Sequence, residues 1–274
     1  MRALQRRLMS TSADPAELAK FASLAAHWWS DPEGGAFAGL HALNEVRVPL
    51  IRRAMANDFL GARAARGAAP SPASPLAGLR VLDIGCGGGI LSEALARLGA
   101  EVTGADACAG SVAAAAAHAA RDPATAARTT YVCARAEELL AGGAAFDGVV
   151  CSEVLEHVAE PRAFLATAAG LLRPGGHLVL TTINRTVASL FGAVLAAEYV
   201  LRLVPPGTHE WGKFVAPGEA AAALRAAGVE PEGAPRGLAF NPLTGRWAPC
   251  RSTDINYALV GRKAGGEPVA EGAA

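Results

Sequence analysis

Charge of one sign is missing from this chain of 274 residues: 25 Lys and Arg balance 25 Asp and Glu, for a formal net charge of zero. Beyond the first few residues the basic side chains form no cluster. That argues against a nucleic-acid partner, because phosphate neutralisation needs concentrated positive charge. The five cysteines (Cys86, Cys108, Cys133, Cys151 and Cys250) include no CxxC pair, and their number is odd. Neither a metal spacing nor a disulfide framework is therefore present. They fit a reducing compartment, with Cys86, Cys133 and Cys151 expected as small core residues. A secretory apolar core is absent from the N-terminus, and no internal repeat recurs. Half of the residues are apolar (51%), a fraction inflated by alanine and glycine rather than by membrane spans. The length suffices for one domain with a substantial core.

What is present begins with a basic leader. MRALQRRLMSTSA carries Arg2, Arg6 and Arg7 with no acid before Asp14, followed by Ser10, Thr11 and Ser12. Residues 1–20 therefore have the composition of a mitochondrial presequence, the alternative being the basic disordered start of a bacterial protein. Residues 21–63 are expected to form a helical cover, with aromatics at Phe21, Trp28, Trp29 and Phe37. The proline- and alanine-rich stretch at 64–76 reads as a flexible linker. From Leu79 onward strands and helices alternate. LRVLDIG (79–85), EVTGAD (101–106), TYVCA (130–134), FDGVVCS (146–152) and HLVLTTI (177–183) read as strands, with helices at 90–99, 111–121, 136–141 and 160–172. GLAFNP (237–242) and INYALVGRK (255–263) add further strands, one of them expected antiparallel at an edge, and 264–274 reads as a disordered tail. Such alternation predicts an α/β fold: a mostly parallel sheet with helices on both faces, binding its ligand at the carboxyl ends of the strands.

The first strand runs into Asp83-Ile84-Gly85-Cys86-Gly87-Gly88-Gly89, and Asp106 ends the second. Glycine permits tight backbone and close ligand approach. An acid about twenty residues downstream suits ribose hydroxyls. The spacing alone leaves NAD and S-adenosylmethionine open. The wording of the loop separates them: VLDIGCGGG resembles motif I of the class I S-adenosylmethionine-dependent methyltransferases, which have a Rossmann-like sheet. LLRPGGHLVLTT (171–182) resembles the strand that follows in that superfamily. By position, Gly85 lies against the methionine or ribose part, Asp106 takes the ribose hydroxyls and Ser152 lines the adenosyl group. Asp83 is either structural or reaches the donor amine through water.

The fourth strand ends in Cys151-Ser152-Glu153-Val154-Leu155-Glu156-His157-Val158. On a helix, Glu153, Glu156 and His157 would share one face at i, i+3 and i+4. Two chemistries suit that set. A histidine or carboxylate can take the proton of a phenolic acceptor; alternatively, carboxylates can hold a hard divalent ion that polarises a catechol. His209 is a second candidate base, and His118 on its alanine-rich helix is expected to be a solvated bystander.

Flanking strings narrow the resemblance. HWWSDPEGGAFAGLHALNEVRVPLI (27–51), TTINRT (181–186), GTHEWGKF (207–214), GLAFNPLTGRW (237–247) and DINYALVGRK (254–263) resemble the ubiquinone biosynthesis O-methyltransferase family, over nearly everything from Phe21 to Lys263. The resemblance implies S-adenosylmethionine-dependent methylation of polyprenylated catechols, an early dihydroxybenzoate and a late demethylubiquinol. It implies that Arg47 contacts the donor carboxylate, and that magnesium associates with Glu153, Glu156 and His157 in eukaryotic members. It further implies peripheral contact with a membrane and with other ubiquinone-biosynthesis proteins, on the matrix side of the mitochondrial inner membrane or in a bacterial cytoplasm. Gly39 and Glu45 stand where the family has proline, which puts the geometry of the N-terminal segment in doubt. The segment 187–216 is an insertion whose apolar part, 187–204, is too short to span a bilayer comfortably and reads as a lid or a membrane-surface helix. Rivals are a quinone or small-molecule C-methyltransferase of the same fold, and a non-catalytic lipid-binding subunit.

Overall fold

The computed structural model describes residues 15–191 and 210–265. Its strands are β1 (Arg80–Ile84), β2 (Glu101–Asp106), β3 (Thr129–Cys133), β4 (Phe146–Ser152), β5 (Leu172–Ile183), β6 (Val229–Pro231), β7 (Arg236–Asn241), β8 (Arg246–Cys250) and β9 (Asn256–Lys263). They form one sheet in the order β3-β2-β1-β4-β5-β9-β7-β8, with β6 also paired to β9. β1 to β5 are mutually parallel, and β9 runs antiparallel between β5 and β7. The strand order reverses beside β1, because β2 lies on one flank and β4 on the other. Crossovers there leave to opposite faces, and a crevice opens at the strand ends.

The helices are α1 (Pro15–Leu24), α2 (Ala38–Met55), α3 (Leu60–Ala65), α4 (Ile90–Arg97), α5 (Ala109–Ala119), α6 (Pro123–Ala126), α7 (Ala136–Ala141), α8 (Pro161–Gly170), α9 (Val187–Ser189) and α10 (Pro217–Ala226). Alternating strand residues divide between two cores. Leu82, Ile84, Val149, Leu178 and Leu180 pack with Phe164, Leu165 and Ala168 of α8 and Leu224 of α10. Val81, Val102, Val150 and Val179 pack on the opposite face with Leu50, Ile51 and Met55 of α2 and Leu91 and Leu95 of α4. β9 contributes to both, Tyr257 and Leu259 to the first and Ala258 to the second. A strand buried on two faces is an interior strand. Of the two later segments, β9 is therefore internal, and β7 lies in the antiparallel β7–β8 hairpin that closes this side of the sheet.

Four other expectations meet a different structure. The N-terminal cover is broken: α1 and a turn at Ala25–His27 are separated from α2 by the loop 28–37. The leader boundary at residue 20 falls inside α1, and residues 1–14 lie outside the described residues. The stretch 64–76 is anchored rather than free. Arg63 is fully buried and donates to the carbonyls of Ala56, Asp58, Pro75 and Ala77. Arg66 donates to Gly78 and to the Asp147 carboxylate, which also accepts from Arg173 and the Arg80 amide. Burial opposes the charge on Asp147, yet these donors hold it below the usual carboxylate range. A loop poor in large apolar residues is thus fixed by arginines, which satisfy carbonyls that burial would otherwise leave bare. Cys133 is exposed, unlike the buried Cys86, Cys108 and Cys151, because its side chain leaves the end of a partly covered strand.

Candidate active site

At the strand-order reversal β1 opens into the glycine loop. The Gly85 and Cys86 amides both donate to the Ala105 carbonyl, at 2.7 and 3.1 Å, which folds the loop back on β2. Gly85, Gly87 and Gly89 hold φ of 70°, 51° and 82°, conformations that L side chains rarely adopt. Space is limiting as well: a Cβ at Gly87 would lie 2.4 Å from the Trp28 ring, and one at Gly85 2.5 Å from Val154. Trp28 is held there by its Nε1–H donating to Ser111 and by stacking on Phe37 at 3.7 Å. Beside it, Trp29 donates to the Gly88 carbonyl and stacks on His118 at 3.5 Å, with the rings 1° from parallel. His118 also meets Glu93 at 2.6 Å. His118 is therefore a pillar under the loop, not a solvated bystander.

Asp106 ends β2 with both oxygens engaged. Oδ2 accepts from the Gly87 amide at 2.9 Å and Oδ1 from the Cys108 amide at 2.8 Å. Each oxygen keeps a further lone pair for a donor in the cavity. Burial raises its pKa, against the pull of the two amides. Asp83, one strand over, is buried and accepts from the Ser92 hydroxyl at 2.6 Å; burial lifts its carboxyl to about 6.

Arg47 reaches the same cavity from α2. Its guanidinium donates to Asn44 Oδ1 (2.8 Å), the Leu40 carbonyl (3.0 Å) and Ser152 Oγ (2.8 Å). Those bonds occupy three of its five N–H donors and leave two for an anion. Burial lowers it to about 10, with the charges of Asp83 and Glu153 acting the other way. Ser152 is in turn 2.7 Å from the Thr181 hydroxyl on β5, so one chain of polar contacts ties α2, β4 and β5 together.

Directly after β4, Glu153 turns the chain with φ of 56°, and its amide donates to the Thr181 carbonyl at 2.9 Å. A non-glycine residue in this conformation carries strain of about 1–2 kcal/mol. Its Oε1 is buried without a hydrogen-bond partner among the described residues. Burial, then repulsion by Glu156, raises its carboxyl to about 7. Glu156 is turned inward, with its Oε2 accepting from the Thr182 hydroxyl at 2.7 Å. His157 Nδ1 lies 2.9 Å from Glu17 Oε2 of α1, and that hydrogen bond, opposed by burial, lowers the Glu17 pKa. Arg47, Asp83, Gly85, Asp106, Ser152, Glu153, Glu156 and His157 all line one cavity of about 1630 Å³. Its far wall is the β7–β8 hairpin and the start of β9, including Leu238, Phe240, Trp247 and Asn256. A pocket for one small ligand measures roughly 300–1,000 Å³, so the volume accommodates two reactants side by side.

Comparison with known proteins agrees with this geometry. Residues 82–180 match the methyltransferase-domain family model. The chain is 48% identical over 252 residues to the ubiquinone biosynthesis O-methyltransferase of Caulobacter vibrioides, spanning 92% of this chain and 95% of the relative. It is 42% identical over 254 residues to the mitochondrial ubiquinone biosynthesis O-methyltransferase of Arabidopsis thaliana, spanning 93% of this chain and 76% of that protein. The chain belongs to the ubiquinone biosynthesis O-methyltransferase family. Within that family it is an S-adenosylmethionine-dependent O-methyltransferase. Solved structures share its fold at low identity. Magnesium protoporphyrin IX methyltransferase from Synechocystis, solved with bound SAH, has a TM-score of 0.51 at 22% identity over 80% of this chain and 86% of its own.

The family resemblance also implied magnesium on Glu153, Glu156 and His157. Among the described residues no three His, Cys, Asp or Glu side chains converge on one point. Glu153 leaves the strand in the left-handed conformation, and only Leu155–His157 forms a short 3-10 turn, so the three do not share one helical face. Thr182 takes one oxygen of Glu156, and Glu17 takes Nδ1 of His157. Among the described residues no divalent-ion site is therefore assembled. His209 and most of the insertion 187–216 lie outside the described residues. Glu17, which composition places in the leader, and Thr181 and Thr182, whose hydroxyls meet Ser152 and Glu156, also belong to this neighbourhood. The TTINRT string was the one signal for the latter pair.

Proposed function

We propose that the enzyme methylates a catechol hydroxyl on polyprenylated rings, the dihydroxybenzoate and demethylubiquinol intermediates of ubiquinone synthesis. S-adenosylmethionine supplies a methyl group as an electrophile on sulfonium. The chain supplies the complement of its zwitterionic amino-acid end: Arg47 for the carboxylate, Asp83 for the amine. The surplus donors on the buried Arg47 support that role, because an unpaired buried cation is costly. Gly85 leaves the backbone bare where the donor passes, Asp106 accepts from the ribose hydroxyls, and Ser152 holds the Arg47 guanidinium in place. Glu153 accepts the proton of the reacting hydroxyl, and His157 accepts from the neighbouring hydroxyl of the ring. The observation that carries this reading is Glu153: a strained backbone holds a buried carboxylate oxygen, Oε1, with no partner among the described residues of the cavity wall.

The deciding experiment incubates purified protein with S-adenosylmethionine and a short-chain demethylubiquinol, with mass-spectrometric detection of the methyl ether. A carbon-acceptor analogue is the control. Methylation of carbon alone overturns the reading. Including a chelator decides the magnesium expectation: activity lost and then restored by magnesium supports it, and undiminished activity removes it. No helix among the described residues is long and apolar enough to cross a membrane. A substrate with an isoprenoid tail resides in one, so action at a membrane surface is proposed, in a mitochondrial matrix or a bacterial cytoplasm. Co-sedimentation with vesicles tests the surface contact.

A further inference from the structure

Strand register sets the β7–β8 hairpin above the donor site. β9 begins at Asn256, opposite Ile183 at the end of β5, and Leu238 of β7 pairs with the same Asn256. β7 runs in the direction of β5, so Ala239, Phe240 and Asn241 continue past the carboxyl edge of the parallel strands, paired with β8. Successive strand residues alternate in face, and Leu238 belongs to the core on the α2 side. Phe240 therefore projects toward α2 as well. Its cross-strand partner Trp247 shares that face, with ring centroids 5.3 Å apart. Trp247 is pinned there by its Nε1–H donating to the Gly39 carbonyl at 3.0 Å, and with Leu40 it packs against the same core.

This apolar face thus extends beyond the sheet that would bury it, and both rings stay half-buried while lining the cavity. Carboxylates on the same side are turned to other groups: Glu45 meets Arg246 at 3.1 Å, and Asp254 accepts from the Ser252 hydroxyl at 2.6 Å. The cavity is therefore divided, with a polar half at the ends of β1, β2 and β4 and an apolar arm between α2 and the hairpin. We propose that this arm seats the first isoprene units of the substrate tail, with Phe240 as a specificity-determining residue; this rests on the catechol reading above. The donor, charged at its amino-acid end and rich in hydroxyls, is matched by the polar half, and so is the catechol. What is left to fill the arm is apolar. At about 1630 Å³ the cavity exceeds a single-ligand pocket of roughly 300–1,000 Å³, which leaves room for a second reactant with one or two isoprene units. An isoprene unit is branched and uncharged, so it gains by leaving water for aromatic walls that lose exposed apolar surface with it.

The test compares kcat/KM for demethylubiquinol analogues without a tail and with one or two isoprene units, in the full chain and its Phe240→Ala and Phe240→Leu variants. In the parent each unit should raise kcat/KM about tenfold, from burial of its apolar surface. Phe240→Ala should reduce the ratio of the two-unit to the tail-less substrate about tenfold, through the lost ring contact. Phe240→Leu should restore most of that ratio, because leucine keeps an apolar wall. Photolabelling of the parent is independent of how well the variants fold: an analogue with a diazirine on its first isoprene unit should mark peptides carrying Leu40, Phe240 or Trp247. Labelling confined to other peptides, such as the one with Ile183 and Ala188, overturns the proposal. So does a parent without tail preference, or a preference that survives Phe240→Ala unchanged. Should the parent methylate no catechol, the proposed function fails. The arm is then decided by photolabelling and by calorimetry with a geranyl-substituted quinone in the presence of S-adenosylhomocysteine, where affinity no better than that of the bare ring overturns it.

Discussion

Replacing Asp106 by Ala tests the donor site most directly, because the structure sets out what the carboxylate does before any ligand arrives. Its two oxygens already hold the Gly87 and Cys108 amides at 2.9 and 2.8 Å. The loop is therefore preorganised, and a ribose adds its hydroxyls to lone pairs that need no rearrangement. Hydrogen bonds to a charged group contribute about 1.5–3 kcal/mol net. Losing both, about 3 kcal/mol at the lower end, weakens binding roughly 150-fold or more. Asp106→Asn should fall between, since its amide NH2 must face one of the two backbone N–H groups, donor against donor. Calorimetric titration with S-adenosylhomocysteine measures this without turnover, and a melting curve of each unliganded variant establishes that the loop still folds. A dissociation constant within twofold of the parent for Asp106→Ala refutes the assignment. So would an Asp106→Asn protein that binds as well as the parent.

Glu153→Gln keeps the volume and the turn but removes the proton acceptor. Catechol methylation should fall about 100-fold or more while S-adenosylhomocysteine affinity stays within about threefold, and more than a tenth of the parent rate would exclude the role. Gly87→Ala places a Cβ 2.4 Å from the Trp28 ring at φ of 51°. Strain of about 1–2 kcal/mol and a displaced indole should appear as weaker donor binding and altered tryptophan fluorescence; unchanged spectra and affinity would contradict the packing. At the opposite end of the sheet, buried His177 bridges the Asp58 and Glu232 carboxylates. Burial opposes its charge, but those hydrogen bonds and charges prevail and raise its pKa. A raised folded pKa means stability that is fully present below the unfolded value near 6.5 and lost as pH rises through the folded one. His177→Gln should lower the melting temperature by roughly 6–12 °C at pH 6, from about 3 kcal/mol, and by less at high pH. A shift independent of pH would sink that account.

The parallel core was legible because its two signals are local. β1, β2 and β4 are short apolar runs ending in glycine, aspartate or serine, and the period of each run identifies it without neighbours. Arg47, Gly85, Asp106 and Ser152 were placed by string, and the structure brings all four to one cavity. The features that escaped depend on contacts between distant segments. β7 and β9 read alike as late strands, and only the cores on either side of β9 show it to be internal. Arg63 looks like a solvated charge until the carbonyls of residues 56, 58, 75 and 77 surround it.

Glu153 shows why the loop after β4 was the hardest part to read. The i, i+3, i+4 spacing of Glu153, Glu156 and His157 implies one face only if a helix starts at Glu153. A fully buried parallel strand cannot pass straight into such a helix while its end stays bonded to the next strand. The Glu153 amide donates to the Thr181 carbonyl, which extends the β4–β5 ladder by one bond. The chain must then reverse within a residue or two, and a left-handed turn at Glu153 does so. No side-chain pattern announces that turn, since glutamate has no preference for it. The consequence is chemical. Had the helix begun at Glu153, the three side chains would have shared one face; with the turn, Glu156 faces Thr182, His157 faces Glu17, and the strained Glu153 carboxylate is the group proposed above to take the substrate proton.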